Sequence, residues 1–212
     1  MVIIGLGGLA KDILTDLLTQ YSREELLFYS EVSADVNLLF FQSKGLSTSA
    51  NVDDVISHFR NIDKRFLVLI GNNEVRERLV EKYTSMGGEP YCFISPSANV
   101  SLELCDISTK NTVLMHSSMI SAGAVIKDGC IISQYAYIGH DCVVEKYVFI
   151  GGYSGISGGS VGEYTFIGVK SVVLPGRSLG KKVAIGAMTM VNKSIGDGKK
   201  AYGVPAKEHG PN

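Results

Sequence analysis

The adjacent residues His140 and Asp141 are the pair of side chains in this sequence that is best suited to proton transfer. An imidazole titrates near neutral pH and can take a proton from an attacking amine or hydroxyl, while a neighbouring carboxylate fixes its tautomer. His116 and His140 are the two histidines within a repeated region, and only His140 has a carboxylate beside it. We therefore predict a general base at His140 that is oriented by Asp141; a solvated surface pair is the alternative.

The element that must position this pair is a six-residue repeat, the strongest signal in the sequence. An even period keeps every repeated side chain on one face of an extended strand and excludes an amphipathic helix. Three repeats per turn predict a parallel β-helix with triangular coils of 18 residues. The repeated aliphatic residues, with one slip of a single residue after Ile156, are Leu114, Ile120, Ile126, Ile132, Ile138, Val144, Ile150, Ile156, Val161, Ile167, Val173, Leu179, Ile185 and Val191.

Glycines follow the histidine at a distance of one predicted coil. Because Ile138 and Ile156 occupy equivalent positions, Gly158 is predicted to stack directly over His140. A segment without side chains at Gly158 and Gly159 leaves a backbone N–H accessible and lets a ligand approach closely, which suits the stabilisation of an oxyanion. A structural bend at the slip of the repeat is a second interpretation, and the two are compatible.

The N-terminal part, residues 1–95, follows a different pattern. A short buried strand at residues 2–4 leads through a glycine-rich turn into a helix at residues 11–20. Further strands are predicted at residues 26–29 and 66–70, and further helices begin at residues 51 and 73. This alternation predicts a small parallel α/β sheet of Rossmann-like type. The chain is therefore divided into domains at residues 1–95 and 96–212.

The turn of the N-terminal part contains a variant of the dinucleotide-binding fingerprint. Gly5, Gly7 and Gly8 would let a phosphate group approach the backbone, and Glu31 is a candidate contact for a ribose hydroxyl. Only 95 residues are present, which is too few for the complete nucleotide domain of a dehydrogenase. A tight turn without a ligand is the alternative interpretation.

Composition excludes several classes of function. The formal net charge is −1, so no basic excess favours nucleic acid, and no apolar run is long enough to span a bilayer. A basic leader is also missing, which favours a cytoplasmic protein. The four cysteines form no CxxC pair, so no metal site is predicted.

The two parts of the chain differ in charge. Residues 1–95 carry 9 basic and 13 acidic residues, whereas residues 96–212 carry 11 basic and 8 acidic residues. A polyanionic ligand should therefore prefer the second part. Its candidate contacts are lysines near the C-terminal end, for which a solvated face is the alternative: Lys181, Lys182, Lys193 and Lys199.

The repeats resemble those of hexapeptide acyltransferases, whose β-helix is left-handed. Residues 94–101, 139–142, 157–159, 173–176 and 202–207, together with the glycine-rich opening, look like the family of sialic-acid O-acetyltransferases and nucleotide-amino-sugar N-acetyltransferases. The resemblance implies acetyl-CoA as co-substrate and a homotrimer with active sites between subunits. It also implies that His140 is the base, that Gly158 donates to the oxyanion, and that the glycine-rich loop holds a nucleotide-sugar acceptor.

Several positions depart from the pattern of the amino-sugar enzymes. Leu9 and Phe149 stand where the family has histidines, Ser133 stands where asparagine is common, and residues 29–31 replace an acidic pair. The matching positions face the acceptor in the family, so Phe149 is predicted to contact the substrate. The machinery for acyl transfer is therefore predicted to be intact, whereas recognition of the acceptor has changed.

These observations favour an acetyl-CoA-dependent enzyme that N-acetylates a nucleotide-activated amino sugar in bacterial surface-glycan synthesis. O-acetylation of sialic acid or a related sugar would use the same base on a hydroxyl group. A β-helix scaffold or an inactive subunit is the alternative without catalysis. A metal-dependent hydratase is disfavoured, because the repeats contain only two histidines, His116 and His140, where three ligands are needed.

Overall fold

A computed structural model describes residues 1–32 and 35–211 and divides the chain into two compact units. The first unit comprises Met1–Cys92 and the second begins at Phe93. The strand Phe93–Ile94 pairs with Val113–Leu114, so the second unit starts three residues before the boundary predicted at residue 96. No helix in the described part of the chain is long and apolar enough to cross a membrane.

The first unit is a five-stranded parallel sheet with helices between its strands, as the alternating pattern predicts. Its strand order is β3-β2-β1-β4-β5. The strands are β1 (Val2–Ile4), β2 (Leu27–Tyr29), β3 (Ser47–Ser49), β4 (Arg65–Val68) and β5 (Glu89–Pro90). The helices are α1 (Gly8–Asp12), α2 (Leu14–Gln20), α3 (Val36–Ser43), α4 (Val52–Asn61) and α5 (Asn73–Ser85), with a short 3-10 helix at Arg23–Glu25.

Local signals explain most of these elements, and some details differ from the prediction. The Asn51 side chain accepts a hydrogen bond from the backbone N–H of Asp53 at 3.0 Å and caps α4, as predicted. The helix predicted at residues 11–20 begins earlier and is divided at Ile13 into α1 and α2. Neither α3 nor β3 is predicted, because the apolar run in α3 has no 3.6-residue period to reveal it.

The second unit is a left-handed β-helix of three parallel sheets. Sheet I contains Phe93–Ile94, Val113–Leu114, Ile131–Ile132, Phe149–Ile150, Phe166–Ile167, Ala184–Ile185 and Lys199–Tyr202, with Lys207–Pro211 added antiparallel. Sheet II contains Asn99–Val100, Met119–Ile120, Tyr137–Ile138, Gly155–Ile156, Val172–Val173 and Met190–Val191. Sheet III contains Asp106–Ile107, Val125–Ile126, Val143–Val144 and Ser160–Val161; a 3-10 helix at Leu102–Leu104 precedes it.

The register of the coils follows the repeat. Ile138 pairs with Ile156 at a spacing of 18 residues, and Ile156 pairs with Val173 at a spacing of 17. All fourteen repeated aliphatics are at most 2 % exposed, which confirms the predicted core. The coil that is one residue shorter has its shorter corner at Gly158 and Gly159, where the sequence predicts the slip.

The corners of the coils share one backbone conformation. Tyr135, Asp141 and Tyr147 occupy three successive corners, and their φ angles are 58°, 57° and 54°. Aspartate tolerates this left-handed region better than most residues, and the Asp141 side chain is exposed. The fold therefore fixes Asp141 in position through a backbone geometry that recurs around the β-helix.

Candidate active site

His140 and Asp141 lie together at the corner between sheets II and III, called the II/III corner below. The strand Tyr137–Ile138 leads into this corner, and Val143–Val144 leaves it. His140 Nδ1 lies 2.9 Å from Asp141 Oδ2, which is a hydrogen-bonding distance. When the carboxylate accepts from Nδ1–H, Nε2 retains a lone pair and can take a proton from a substrate.

The pair is open to solvent in the single chain. The side chains of His140 and Asp141 are 75 % and 80 % exposed, respectively. Electrostatic and proton-transfer effects are strongest where water is excluded, because water screens charges and competes for hydrogen bonds. A site built on this corner therefore needs a second molecule to cover it.

Gly158 lies at the same corner as His140, one coil away. Ile138 pairs with Ile156, and each of the two residues follows its paired isoleucine by two positions, although the corner of Gly158 is one residue shorter. Burial raises the pKa of the Cys142 thiol, and the backbone N–H groups of Gly139 and Gly158 partly oppose this effect on its pKa. The Gly158 N–H thus lies near a sulfur atom inside the coil, and its role toward an oxyanion stays a prediction.

The four candidate lysines do not form the single cluster that the sequence suggests. Lys181 Nζ contacts Glu163 at 2.9 Å, and Lys199 Nζ contacts Glu208 at 3.9 Å. Lys181, Lys182 and Lys199 lie where sheet III leads into sheet I. The lysines are separated from each other because the register of the C-terminal coils decides which corner each lysine occupies.

Lys193 instead shares the II/III corner with the histidine. The pairings of Ile138, Ile156, Val173 and Val191 place His140, Gly158, Pro175 and Lys193 in one column, two residues after each paired aliphatic. Lys193 is exposed and lies three coils from His140, at about 4.8 Å per coil. Neither Gly158 nor Pro175, which lie between them in this column, has a long side chain.

Phe149 lies on another side of the coil. It belongs to sheet I, and its ring stacks on the ring of Phe166 with centroids 5.2 Å apart and planes 12° apart. Within one chain the structure does not bring Phe149 to the corner of His140. A contact between Phe149 and a substrate bound at His140 would therefore have to come from a second subunit.

The N-terminal unit has a cavity of about 470 Å³ that is lined by all four predicted residues of this unit: Gly5, Gly7, Gly8 and Glu31. A Cβ atom placed on Gly7 or Gly8 would meet no other atom within 4 Å. At Gly5, where φ is +90°, a Cβ would lie 2.8 Å from Ile70 Cγ1. Gly5 is thus required by the turn, whereas Gly7 and Gly8 leave space for a ligand.

Glu31 is held at the edge of this cavity by two hydrogen bonds. Its Oε1 accepts from Lys82 Nζ at 2.6 Å and from Tyr83 Oη at 2.7 Å. Burial alone would raise the pKa of Glu31, but the bonds from Lys82 and Tyr83 hold that pKa below its ordinary value. The carboxylate therefore stays ionised at the edge of the cavity.

Two features of the sites are not evident from the sequence. Arg78, an exposed residue of α5, lines the same cavity and adds a positive charge to it. Helices that follow the strands of a parallel sheet commonly contribute to ligand sites at the carboxyl ends of those strands, and this signal could have identified Arg78. Gly123 lies beneath Asp141, and only the coordinates reveal how closely the two approach.

No group of three or more His, Cys, Asp or Glu side chains within residues 1–32 and 35–211 is arranged to hold a metal ion. Residues 123–158 match the family described as bacterial transferase hexapeptide (six repeats). This match spans the coils that contain Asp141, His140 and Gly158. No curated protein matches the chain by sequence.

Solved structures match the chain over nearly its full length. A mutant of perosamine N-acetyltransferase from Caulobacter crescentus, in complex with CoA and GDP-perosamine, is 29 % identical with a TM-score of 0.83, covering 99 % of this chain and 96 % of that chain. The acetyltransferase domain of PglB from Neisseria gonorrhoeae, in complex with acetyl coenzyme A, is 27 % identical with a TM-score of 0.83, covering 98 % of both chains.

WeeI from Acinetobacter baumannii is 21 % identical, has a TM-score of 0.85 and covers 98 % of both chains, which shows the shared fold. The hexapeptide match and the full-length structural matches agree with the predicted resemblance in both units of the chain. The chain is therefore a hexapeptide-repeat acetyltransferase that closely resembles perosamine N-acetyltransferase and the acetyltransferase domain of PglB.

Proposed function

We propose that the protein transfers an acetyl group from acetyl-CoA to the amino group of a nucleotide-activated amino sugar in the cytoplasm, as a step of bacterial surface-glycan synthesis. The observation that carries this proposal is the contact of 2.9 Å between His140 Nδ1 and Asp141 Oδ2. This contact orients the imidazole, so that Nε2 is accessible at the corner that also contains Gly158. The relatives crystallised with CoA, acetyl coenzyme A and GDP-perosamine support the choice of substrates.

The two residues of the corner divide the proton transfer between them. His140 Nε2 takes the proton of the amine as its nitrogen attacks the thioester carbonyl, and Asp141 stabilises the imidazolium that results. The Gly158 N–H, which lies near the Cys142 sulfur in the single chain, turns outward in this proposal and stabilises the negative charge of the tetrahedral oxyanion. When the carbon–sulfur bond breaks, His140 returns the proton to the thiolate of CoA.

The II/III corner has the features needed to hold the donor. The pantetheine arm separates the thioester of acetyl-CoA from its phosphates, so those phosphates must bind several coils away from His140. Lys193 lies three coils along the column, and Gly158, Gly159 and Pro175 leave room for an extended arm between them. Lys182 and Lys199 serve the same phosphates from a neighbouring chain, whereas Lys181 is paired with Glu163 at 2.9 Å.

A homotrimer would provide the cover that the corner needs. Exposed apolar side chains occur on sheets I and II and at the corner between these sheets, and contact between chains would remove them from water. A neighbour that packs there brings Phe149 and Phe166 toward the His140 corner of the adjacent chain. The exposed residues are Met119, Tyr135, Tyr153, Phe166, Val169 and Met188.

The cavity of the N-terminal unit suits the nucleotide part of the acceptor. The open backbone at Gly7 and Gly8 admits a diphosphate, and the Arg78 guanidinium supplies an opposite charge. Glu31 Oε2 accepts a hydrogen bond from a ribose hydroxyl. The N-terminal unit thus selects the acceptor, and the β-helix performs the transfer.

The direct test is to incubate the purified protein with acetyl-CoA and two panels of acceptors, with His140→Ala as the control. One panel contains GDP-, UDP- and dTDP-linked amino sugars, and the other contains free sialic acids. We expect release of CoA and an N-acetylated nucleotide sugar. Transfer to the hydroxyl groups of free sugars alone would instead support O-acetylation, and a protein that does not bind acetyl-CoA would be a scaffold.

A further inference from the structure

Gly123 lies one coil below Asp141. The pairing of Val125 with Val143 makes residues 123 and 141 equivalent in successive coils. The Asp141 backbone N–H donates a hydrogen bond to the carbonyl of Ala122 at 3.2 Å, which fixes the height of Asp141 above the lower corner. The carboxylate then extends over the position where a side chain at residue 123 would begin.

The distances show that there is no space for a side chain at residue 123 beneath Asp141. A Cβ atom built on Gly123 would lie 2.2 Å from Asp141 Oδ1 and 3.2 Å from its Cγ. Two such atoms cannot approach to 2.2 Å without a bond between them, so any residue other than glycine must displace the carboxylate. The other oxygen of the same carboxylate, Oδ2, makes the contact of 2.9 Å with His140 Nδ1.

We propose that Gly123 is a positioning residue for the reaction, because the absence of a side chain there lets Asp141 hold the His140 imidazole. The carboxylate is otherwise free to rotate, since its side chain is 80 % exposed. A methyl group at residue 123 would turn it away from Nδ1 and release the ring. The effect of Gly123 on the reaction rate rests on the proposed function, whereas its effect on the imidazole does not.

The repeat provides a matched control at Gly129, one hexad later. Gly123 and Gly129 have φ angles of +76° and +72°, so that alanine strains the backbone equally at both positions. A Cβ on Gly129 would lie 2.3 Å from two ring atoms of Tyr147, the residue equivalent to Asp141 at the next corner. Gly129→Ala therefore reproduces the backbone strain and places a steric conflict at the buried ring of Tyr147, without disturbing the pair at His140.

The first measurement follows the imidazole directly. The ring nitrogens of the four histidines can be observed by ¹⁵N NMR in the intact protein, with His140→Ala assigning the signal. In the wild type and in Gly129→Ala we expect a hydrogen-bonded Nδ1–H at His140; in Gly123→Ala we expect this signal to change toward that of a free imidazole. An unchanged His140 signal in Gly123→Ala, or the same change in both variants, would overturn the proposal.

The second measurement follows catalysis. We expect Gly123→Ala to lower kcat by up to about tenfold, as Asp141→Asn does, with both KM values within about twofold of wild type, because binding is unaffected while the base is misoriented. Gly129→Ala should keep the wild-type kcat although its melting temperature falls further, because its conflict is with the buried Tyr147 ring. In the Asp141→Asn background, Gly123→Ala should cause no further loss; additive losses would contradict a role through Asp141.

The two measurements separate this proposal from the proposed function. If the protein acetylates none of the acceptors but the His140 signal changes only in Gly123→Ala, the positioning role is supported and the proposed function fails. If the protein is active and the two glycine variants have the same kcat, the positioning role fails and the proposed function remains.

Discussion

The β-helix and the N-terminal unit build their sites in different ways. In the β-helix, His140 and Asp141 stand at a corner whose position is set by a core that repeats every coil. In the N-terminal unit, the cavity is lined by Gly7, Glu31 and Arg78, which come from separate segments between or after strands. The comparison indicates that chemistry placed by a periodic core is difficult to move, whereas recognition placed on loops can change without loss of the fold.

The departures from the family pattern agree with this division. The resemblance implies acceptor-facing histidines at the positions of Phe149 and Leu9, whereas the His140–Asp141 contact is present at 2.9 Å. Phe149 stacks on Phe166 and lies on a different sheet from His140. Mutations in the two units should therefore separate the transfer step from selection of the acceptor.

The largest effect is expected at the base. Replacing His140 with alanine removes the group that accepts the proton, so we expect His140→Ala to lower kcat by about 100- to 10,000-fold. The dissociation constant for acetyl-CoA, measured by calorimetry, should stay close to that of the wild type, because the imidazole does not bind the phosphates. Retention of most activity would remove His140 from the mechanism.

Asp141→Asn should be less harmful. An asparagine at residue 141 preserves the shape of the side chain and tolerates the φ angle of 57°, so the geometry of the corner survives while the preference for one tautomer is lost. We expect kcat to fall about tenfold, with unchanged KM values. A defect larger than that of His140→Ala would indicate a direct role of the carboxylate in the chemistry.

The effect expected in the N-terminal unit is on the acceptor alone. Gly7 has φ −73° and ψ −159°, an extended conformation that valine adopts readily, and its Cβ position is free of contacts. Gly7→Val should therefore fold, fill part of the cavity and raise the acceptor KM about tenfold, equivalent to about 1.4 kcal/mol.

The acetyl-CoA dissociation constant of Gly7→Val should stay within about twofold of the wild type. Its melting temperature provides the control for folding. A folded variant with the wild-type acceptor KM would identify residues 5–10 as a structural turn and would favour O-acetylation of a free sugar.

The smallest effect is expected among the lysines. It tests whether acetyl-CoA contacts the corner of Lys193 or the corner of Lys181. Lys193→Ala should raise the KM for acetyl-CoA about two- to fivefold, the range of an exposed ion pair, and the change should decrease with salt. Lys181→Ala is the matched control, because the Lys181 ammonium is paired with Glu163 at 2.9 Å. Equal effects of the two variants would contradict the column that links Lys193 to His140.

The difference between the two units also explains what could be predicted from the sequence. The even period of the repeat fixes which side chains point inward, so Ile138 and Ile156 could be placed in successive coils, with His140 and Gly158 at the corner that follows them. The corner occupied by Lys193 was not predicted, because it depends on the register of the coils beyond the slip. The period identifies strands reliably, but it does not reveal how corners lie relative to each other.

Irregular parts of the chain gave weaker signals. The helix α3 was missed because its apolar residues surround the helix, although Asp35 caps it by accepting from the Asn37 N–H at 2.9 Å. Arg78 lies on the polar face of α5 and carries no motif, so its place at the cavity emerges only from the packing of α5. The approach of Gly123 to Asp141 likewise requires side-chain coordinates.

The most direct test of the account is a crystal structure of the wild-type protein with CoA and the best nucleotide sugar of the acceptor panel. The distance to measure joins His140 Nε2 to the amino nitrogen of the sugar. The account predicts a hydrogen-bonding distance of about 2.6 to 3.2 Å, with the thiol of CoA on the same side of the imidazole. A bound sugar whose amino group contacts another titratable side chain, with His140 open to solvent, would contradict it.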